Sequence, residues 1–446
     1  MASIFLPVVT MNLFSKFSAE SPLIKGDLEK LSGSFMPNSF PHREKEIDHM
    51  VMVLSSIMRD MKPSNMLLYG KTGTGKTSTT SYVTSMLKEA AEDRVNVCYV
   101  NCQIYDSPYS ILVTIVNSIS TGTQDQIPPM GWPMDRIYGE LVTRMNAQKS
   151  FYVLVLDEVD KLIQKNGSDA LYVILKILDD TRMSRASIIG ITNDANFLDT
   201  LDPRVRSRMN QESIMFSSYN AQQLRDIIAF RLEGIVKEGA VDESAVNLCS
   251  AIGAQEHGDA RKALDLMRIS IEIAIRENRD KVTDREVYEA RDRYEMNVVH
   301  AAITSLPLQS KMVLLSAVVT QELSKRLMIT GEIYENYRNI CTELGFIPLT
   351  SRRIGDILSE LEEFGLLSAT TRSMGRYGRT RFIRVMGDPD QYKHYLMEDE
   401  NLSHFMGSKI TRQSRFENLD GVQKGMNLDA MDRALSDFAD GEPDRE

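Results

Sequence analysis

Cysteine is scarce, with four residues in 446, at positions 98, 102, 249 and 341. That count excludes a small secreted scaffold stapled by disulfides. Cys98 and Cys102 stand close together, but no second pair completes a zinc quartet. Both fall in or beside VNVCYVNC, a buried-strand pattern, and read as core thiols of a protein in a reducing cytoplasm. Long apolar runs are also missing: none approaches the roughly 20 residues a membrane span needs. The opening MASIFLPVVTMNLF is short, without a basic flank or a small-residue cleavage site, and is not read as a signal peptide. No membrane partner is expected. Positive charge is in deficit, the net being −10, which argues against a surface coated throughout by nucleic acid. A local basic site stays open, because affinity depends on where the cations sit.

What is present is an ordinary soluble composition and a length that suggests about three domains of roughly 150 residues each. From 66 to 216, short apolar runs alternate with helical stretches: MLLY (66–69), VCYV (97–100), FYVLVL (151–156), SIIGI (187–191) and SIMF (213–216). Near-continuous Val/Ile/Leu strands with helical crossovers predict an α/β fold with a parallel sheet covered on both faces. From 217 strands are expected to stop and helices to follow over 220–239, 243–253, 258–277 and 284–293, with starts at Asn220, Asp242, Gly258 and Thr283. A third unit begins near Leu306-Pro307 and ends in a hairpin-like SATTRSMGRYGRTRFIRV. The boundaries read as an N-terminal segment 1–19, a base domain 20–216, a helical lid 217–300, a third domain 301–387 and an acidic, weakly ordered tail 388–446. A short helix is possible around 427–438.

The segment MLLYGKTGTGKTSTT is a strand, a glycine-rich turn and a helix start. Gly70, Lys71, Thr72, Gly73, Thr74, Gly75, Lys76 and Thr77 fit G-x-x-x-x-G-K-[ST] at every position, with Ser78 following. Glycines let backbone N–H groups curl round phosphate oxygens, and the helix N-terminus adds partial positive charge. Lys76 is expected at the β- and γ-phosphates of ATP and the Thr77 hydroxyl on Mg²⁺. FYVLVLDEVDKL ends a buried strand in two carboxylates: Asp157 to hold Mg²⁺ and Glu158 to orient and deprotonate the attacking water. Asp160 and Lys161 read as structural. Asn193 ends another buried strand, and strand ends of a parallel sheet face the ligand crevice. It is expected at the γ-phosphate or the water, with a plain turn residue as the competing account.

In the third unit, PLTSRRIGDILSELEEFGLL starts a helix at Thr350 and Ser351, with Ile354, Ile357, Leu358 and Leu361 at helical spacing. Its N-terminal face, Ser351, Arg352 and Arg353, can enter a major groove. The hairpin after it carries Arg372, Arg376, Arg379, Arg381 and Arg384 around Gly375 and Gly378, with Tyr377 at the tip. A basic helix plus a basic wing favours duplex DNA over simple solvation of the arginines.

The P-loop, the DE strand, the Asn-ended strand, the arginine cluster and the helical lid together resemble the AAA+ ATPases. The stretches KPSNMLLYGKTGTGKT, VLVLDEVDKL, LDPRVRSRM, YNAQQLRDIIAFRLE and GDARKALDLMR are similar to the archaeal replication initiators. Those are related to the first subunit of the origin recognition complex and to cell division control protein six. GEIYENYRNICTELGFIPLTSRRIGDILSELEEFGLLS and GRYGRTRFIRV extend the likeness, which runs from about 20 to 386. The resemblance implies that Tyr219 and Arg231 contact the adenine nucleotide and that Arg261 is the lid arginine reaching the γ-phosphate. It also implies that Arg208 is the finger offered to a neighbour's ATP, with Arg204 and Arg206 as alternates and a surface ion-pair cluster as the competing account. Residues 101–134 resemble the insertion that initiators press against DNA; an irregular helix packed on the core is the alternative. An initiator binding origin duplex DNA in the cytoplasm, at the nucleoid, is implied. So are slow ATP turnover as a switch, recruitment of the replicative helicase and contact with paralogous initiators. The rival readings are a clamp-loader-like AAA+ subunit and a DNA-binding transcription regulator with an ATP switch.

Overall fold

The structure, a computed structural model, describes residues 23–33, 35–120, 122, 125–147, 149–324, 327–373 and 379–407. Arg376, Tyr377, Gly378 and the helix expected at 427–438 lie outside them. The chain divides into two compact units, the first ending at Arg291 and the second beginning at Asp292.

In the first unit β1 (Met66–Tyr69), β2 (Val95–Asn101), β3 (Phe151–Asp157), β4 (Arg185–Thr192) and β5 (Glu212–Met215) form one parallel sheet, ordered β2-β3-β4-β1-β5. This order sets β3, β4 and β1 side by side, so the three motif-bearing strand ends share one edge of the sheet. α1 (Glu44–Leu54) and α2 (Lys76–Ala91) precede β2; α3 (Pro108–Ser118) and α4 (Met134–Asn146) follow it. α5 (Val159–Asn166) and α6 (Ser168–Asp180) join β3 to β4, and α7 (Phe197–Thr200) and α8 (Pro203–Met209) lead into β5. Alternation along the strands builds two apolar layers. Leu154, Leu156 and Ile188 meet Ile111 and Leu112 of α3 and Leu171 and Ile174 of α6. Val153, Val155, Ile189 and Ile191 meet Met50 of α1 and Val83 of α2 on the other face. In the 101–134 segment, Ser107 and Ser110 cap α3 reciprocally, and Ile111, Leu112, Val113, Ile115 and Val116 are buried. α3 thus packs on the core.

The lid comprises α9 (Ala221–Leu232), α10 (Glu243–Gln255), α11 (Ala260–Arg276) and the start of α12 (Asp284–Ser305). Two sequence expectations are corrected. The first lid helix was expected to run to 239; it stops at Leu232, and Gly234 then takes a positive φ of 80°. The chain after it pairs as an isolated bridge with the start of the described chain, Ile24 against Val236, so strand-like pairing does not end at 217. α12 itself runs on to Ser305.

The second unit contains α13 (Leu308–Ser324), β6 (Met328–Ile329), α14 (Thr330–Leu344), α15 (Ser351–Glu363), β7 (Leu367–Ser373), β8 (Arg379–Val385) and α16 (Pro389–Met397). Its antiparallel sheet is ordered β6-β8-β7, and its core joins Val313, Tyr337, Ile354, Leu358 and Ile383. A weakly ordered tail was expected from 388. Instead α16 continues the unit, with Asp388 capping it and Tyr392, Leu396 and Leu402 buried in the same core.

Candidate functional site

The turn after β1 is shaped by its glycines. Gly70 has φ +149°, and a Cβ there would stand 2.3 Å from the Phe216 carbonyl oxygen. Gly73 has φ +72°, and its Cβ would stand 1.9 Å from Asp259 Oδ1 of the lid. No other residue type fits either position without moving backbone or lid. Lys76 opens α2 and is 5% exposed. Its ammonium donates to Gly70 O (2.7 Å), Lys71 O (2.8 Å) and Asn193 Oδ1 (2.9 Å), which uses all three N–H groups. Burial pushes its pKa down to about 8, opposed by the Asp157 carboxylate. Lys71 reaches across to His257 Nδ1 of the lid at 3.3 Å.

Asp157 is buried at the end of β3. Its Oδ2 accepts from Thr77 Oγ1 at 2.9 Å and from the Tyr99 hydroxyl, while Oδ1 accepts from the Glu158 N–H at 2.9 Å. Glu158 has φ +55°, a conformation uncommon for a residue with a Cβ. Burial raises its carboxyl pKa, and the Asp157 and Asp160 charges add to the effect. Asp160 accepts from Thr192 Oγ1 (2.9 Å), which accepts in turn from the Asp194 N–H (3.0 Å). That chain braces the loop bearing Asn193, a structural role as the sequence suggested. Thr72, Gly73, Thr74, Gly75, Lys76, Thr77, Asp157, Glu158, Asn193 and Arg261 line one polar cleft.

Among the described residues no group of three or more His, Cys, Asp or Glu could hold a metal ion. The hydroxyl of Thr77 and the carboxylate of Asp157 are hard oxygen donors. One carboxylate with a hydroxyl fits magnesium shared with phosphates, rather than an ion caged by protein alone.

The lid closes a second wall. Tyr219, Arg231, Arg261, Ser78 and Gly75 line an adjoining cleft with Phe40, Pro41, Ile227 and Leu264. Arg261, at the start of α11, has no hydrogen bond or ion pair from its guanidinium among the described residues. Arg231 is engaged: Nη1 donates to Lys30 O (2.9 Å) and Nη2 to Phe35 O (3.2 Å), with the guanidinium over the Phe35 ring. It holds Lys30 and Phe35, in the segment before α1, against the lid. Tyr219 is buried and accepts from Arg43 Nε at 2.8 Å. Arg43 escaped the sequence reading. Its signal there was faint: a cation at the N-terminal boundary of α1, the end that disfavours positive charge.

Arg208 lies on α8, away from this cleft. It pairs with Asp179 at 2.8 Å and lies over Tyr172. Arg204 pairs with Asp202 and Asp169, and Arg206 with Asp199, so all three arginines sit in an ion-pair cluster.

In the second unit Thr350 caps α15, accepting from the Arg353 N–H at 3.5 Å. Ser351, Arg352 and Arg353 are exposed on its first turn. Arg353 faces Asp356 (3.8 Å) and Glu360 (3.4 Å); Arg352 has no ion pair among the described residues. Arg379 opens β8. Arg381, read as part of a basic wing, turns inward to Glu362 and Ser359.

Three family models match in order along the chain. They are the ATPase family associated with various cellular activities over 66–217, the Cdc6 AAA+ ATPase-type lid domain over 225–292, and the CDC6 C-terminal winged helix domain over 301–395. An ORC1-type DNA replication protein of Thermoplasma volcanium is 60% identical over 406 residues, covering 91% of this chain and 99% of that protein. Another, from Thermococcus onnurineus, is 40% identical over 91% of this chain and 98% of its own length. The Aeropyrum pernix ORC1 protein, solved in complex with DNA, superposes with a TM-score of 0.78 at 36% identity, covering 86% of this chain and 99% of that one. Among the described residues no helix is long and apolar enough to cross a membrane. With its AAA ATPase base, Cdc6-type lid and winged helix, the chain belongs to the ORC1-type family of DNA replication initiators.

Proposed function

We propose that this initiator binds ATP with magnesium in the cleft between base and lid, hydrolyses it slowly, and uses the nucleotide state to set its grip on origin duplex DNA. The observation that carries the reading is the convergence of Lys76, Thr77, Asp157, Glu158 and Asn193 in one polar cleft, with Arg261 of the lid on its rim. The backbone of residues 70–77 wraps the phosphates, and Lys76 exchanges its carbonyl partners for phosphate oxygens. Thr77 and Asp157 would hold the magnesium ion, which when bound offsets the negative charge of the phosphates. Glu158 accepts the proton of the attacking water; its raised pKa makes it a better base than an ordinary surface carboxylate. Asn193 orients that water or a γ-phosphate oxygen. Arg261 supplies charge from the lid, and Tyr219, with the segment held by Arg231, walls the adenosine end. Arg208 acts, if a second copy docks on α8, by leaving Asp179 for the neighbour's phosphates.

On the DNA side, Thr350, Ser351, Arg352 and Arg353 present the first turn of α15 to the major groove, and Arg376, Tyr377, Gly378 and Arg379 are the further residues assigned to duplex contact. The DNA-bound Aeropyrum relative supports this reading. ATP closes the lid, the closed form holds the duplex at the nucleoid, and hydrolysis relaxes the grip or resets recruitment of the replicative helicase and paralogous initiators. The test is ATP turnover with and without origin duplex. Slow turnover that responds to DNA is expected; fast turnover indifferent to DNA removes the switch.

A further inference from the structure

Arg43 is 3% exposed, yet it stands where α1 begins and the helix dipole disfavours a cation. A buried guanidinium persists only where its donors are satisfied. Nε donates to Thr74 O (3.0 Å) and to the Tyr219 hydroxyl (2.8 Å), Nη1 to Glu46 Oε1 (2.9 Å) and Nη2 to Ser217 O (2.5 Å). The guanidinium also lies over the Tyr219 ring, 4.0 Å from its centroid. The partners come from three segments: α1 itself, the phosphate loop, and residues 217–219, which join β5 to the first lid helix.

That joint is tied at both ends. The Phe216 N–H donates to Tyr69 O (2.8 Å) on the base side. On the lid side, a Cβ at Gly258 would stand 2.3 Å from Tyr219 O, so the turn before α11 rests directly on the joint. The next lid residues touch the phosphate loop, with the Ala260 N–H on Gly73 O at 3.2 Å. A swing of the lid that shifts Ser217 and Tyr219 must therefore drag the guanidinium. The guanidinium holds the Thr74 carbonyl, in the middle of the loop that wraps the phosphates.

We propose that Arg43 is a positioning residue that couples the posture of the lid to the shape of the phosphate loop, so that the protein distinguishes ATP from ADP through it. The inference rests on the nucleotide reading given above and adds a coupling element that lies outside every motif of the site. Lysine cannot replace it, since one ammonium lacks the planar fork that serves Thr74, Tyr219 and Ser217 together.

The experiment uses the full chain with exposed Ser85→Cys and Ser244→Cys on base and lid, labelled for energy transfer; the four described native cysteines are buried. Nucleotide affinity is measured in parallel with fluorescent ATP and ADP analogues. The parent protein is expected to show different transfer with ATP and ADP. Arg43→Lys is expected to bind both nucleotides, to give the same transfer with each, and to lose its ATP-over-ADP preference by about fivefold or more. Retention of both the ATP-specific transfer and the preference overturns the proposal. Should the Arg43 variant melt at assay temperature, Glu46→Gln decides. It removes the carboxylate partner of Arg43 without touching loop or joint, and a partial loss of preference supports the coupling while a parent-like response overturns it. A parent with no difference between ATP and ADP removes the switch itself, leaving Arg43 nothing to couple.

Discussion

Thr77 Oγ1 donates to Asp157 Oδ2 at 2.9 Å, a bond between residues 80 positions apart in the chain. It joins the first residues of α2 to the end of β3 and fixes where two hard oxygen donors stand. Tyr99, from the neighbouring strand β2, donates to the same carboxylate oxygen, and the Glu158 N–H holds the other. Asp157 is thus set in one orientation by three donors, and the adjacent Glu158 inherits its position from that clamp.

Glu158→Gln keeps the shape of this arrangement and removes the carboxylate proposed as the base. ATP binding is expected to persist while turnover falls by about 10²–10⁴-fold. Equilibrium nucleotide binding and phosphate release, measured on the same preparation, check both halves. Unchanged turnover would transfer the role of base to another group.

Gly73→Ala places a methyl group on Asp259 Oδ1 and forces alanine into a left-handed φ. Backbone strain alone costs about 1–2 kcal/mol, and the clash pushes the start of α11 off the phosphate loop. Nucleotide affinity is expected to drop sharply with the fold intact by circular dichroism. Adding Asp259→Ala should restore part of it, because the clash is with that side chain. A single variant with parent-like affinity would mean that the lid does not rest on the loop in solution.

The sequence marked the phosphate loop, the DE strand and the five sheet strands because each depends on local spacing: glycine positions, or unbroken apolar runs of strand length. It overran the first lid helix because the apolar pattern continues past Leu232, while Gly234 and pairing with Ile24 decide the end. It missed α16 because composition averaged over an acidic stretch hides Tyr392 and Leu396, two apolar side chains one helical turn apart. Arg43 was illegible for a different reason. Tyr219 and Ser217 are 176 and 174 residues away, and no local pattern reports such partners. The carboxylates facing Arg353 and Arg381 were in plain view in LSELEEFG, but their pairing depends on helix phase and strand register.

Arg231→Ala frees the carbonyls of Lys30 and Phe35 and the ring of Phe35. Charged hydrogen bonds of this kind contribute about 1.5–3 kcal/mol each at most, so the chain at Lys30 and Phe35 should loosen while the lid core stays packed. Faster tryptic cleavage after Lys30, slowed by ATP in the parent and less so in the variant, is the expected result. An unchanged cleavage pattern would show that the segment is held by other contacts.

Arg352 and Arg353 are adjacent but differ in their partners. Arg353 must leave Asp356 and Glu360 to reach DNA, whereas Arg352 has no such tie among the described residues. Arg352→Ala is expected to weaken origin duplex binding by about 1–3 kcal/mol and relax sequence preference, with a smaller effect for Arg353→Ala. Titrations on specific and scrambled duplexes at two salt concentrations measure both. The reverse order would indicate that Arg353 exchanges its carboxylates for bases.

The most direct test of the account is the affinity of Glu158→Gln for origin duplex with ATP and with ADP at one fixed salt concentration. The account predicts tighter binding with ATP, held for the duration of the experiment because hydrolysis is blocked. Equal affinity with the two nucleotides, in protein shown to bind both, would contradict it.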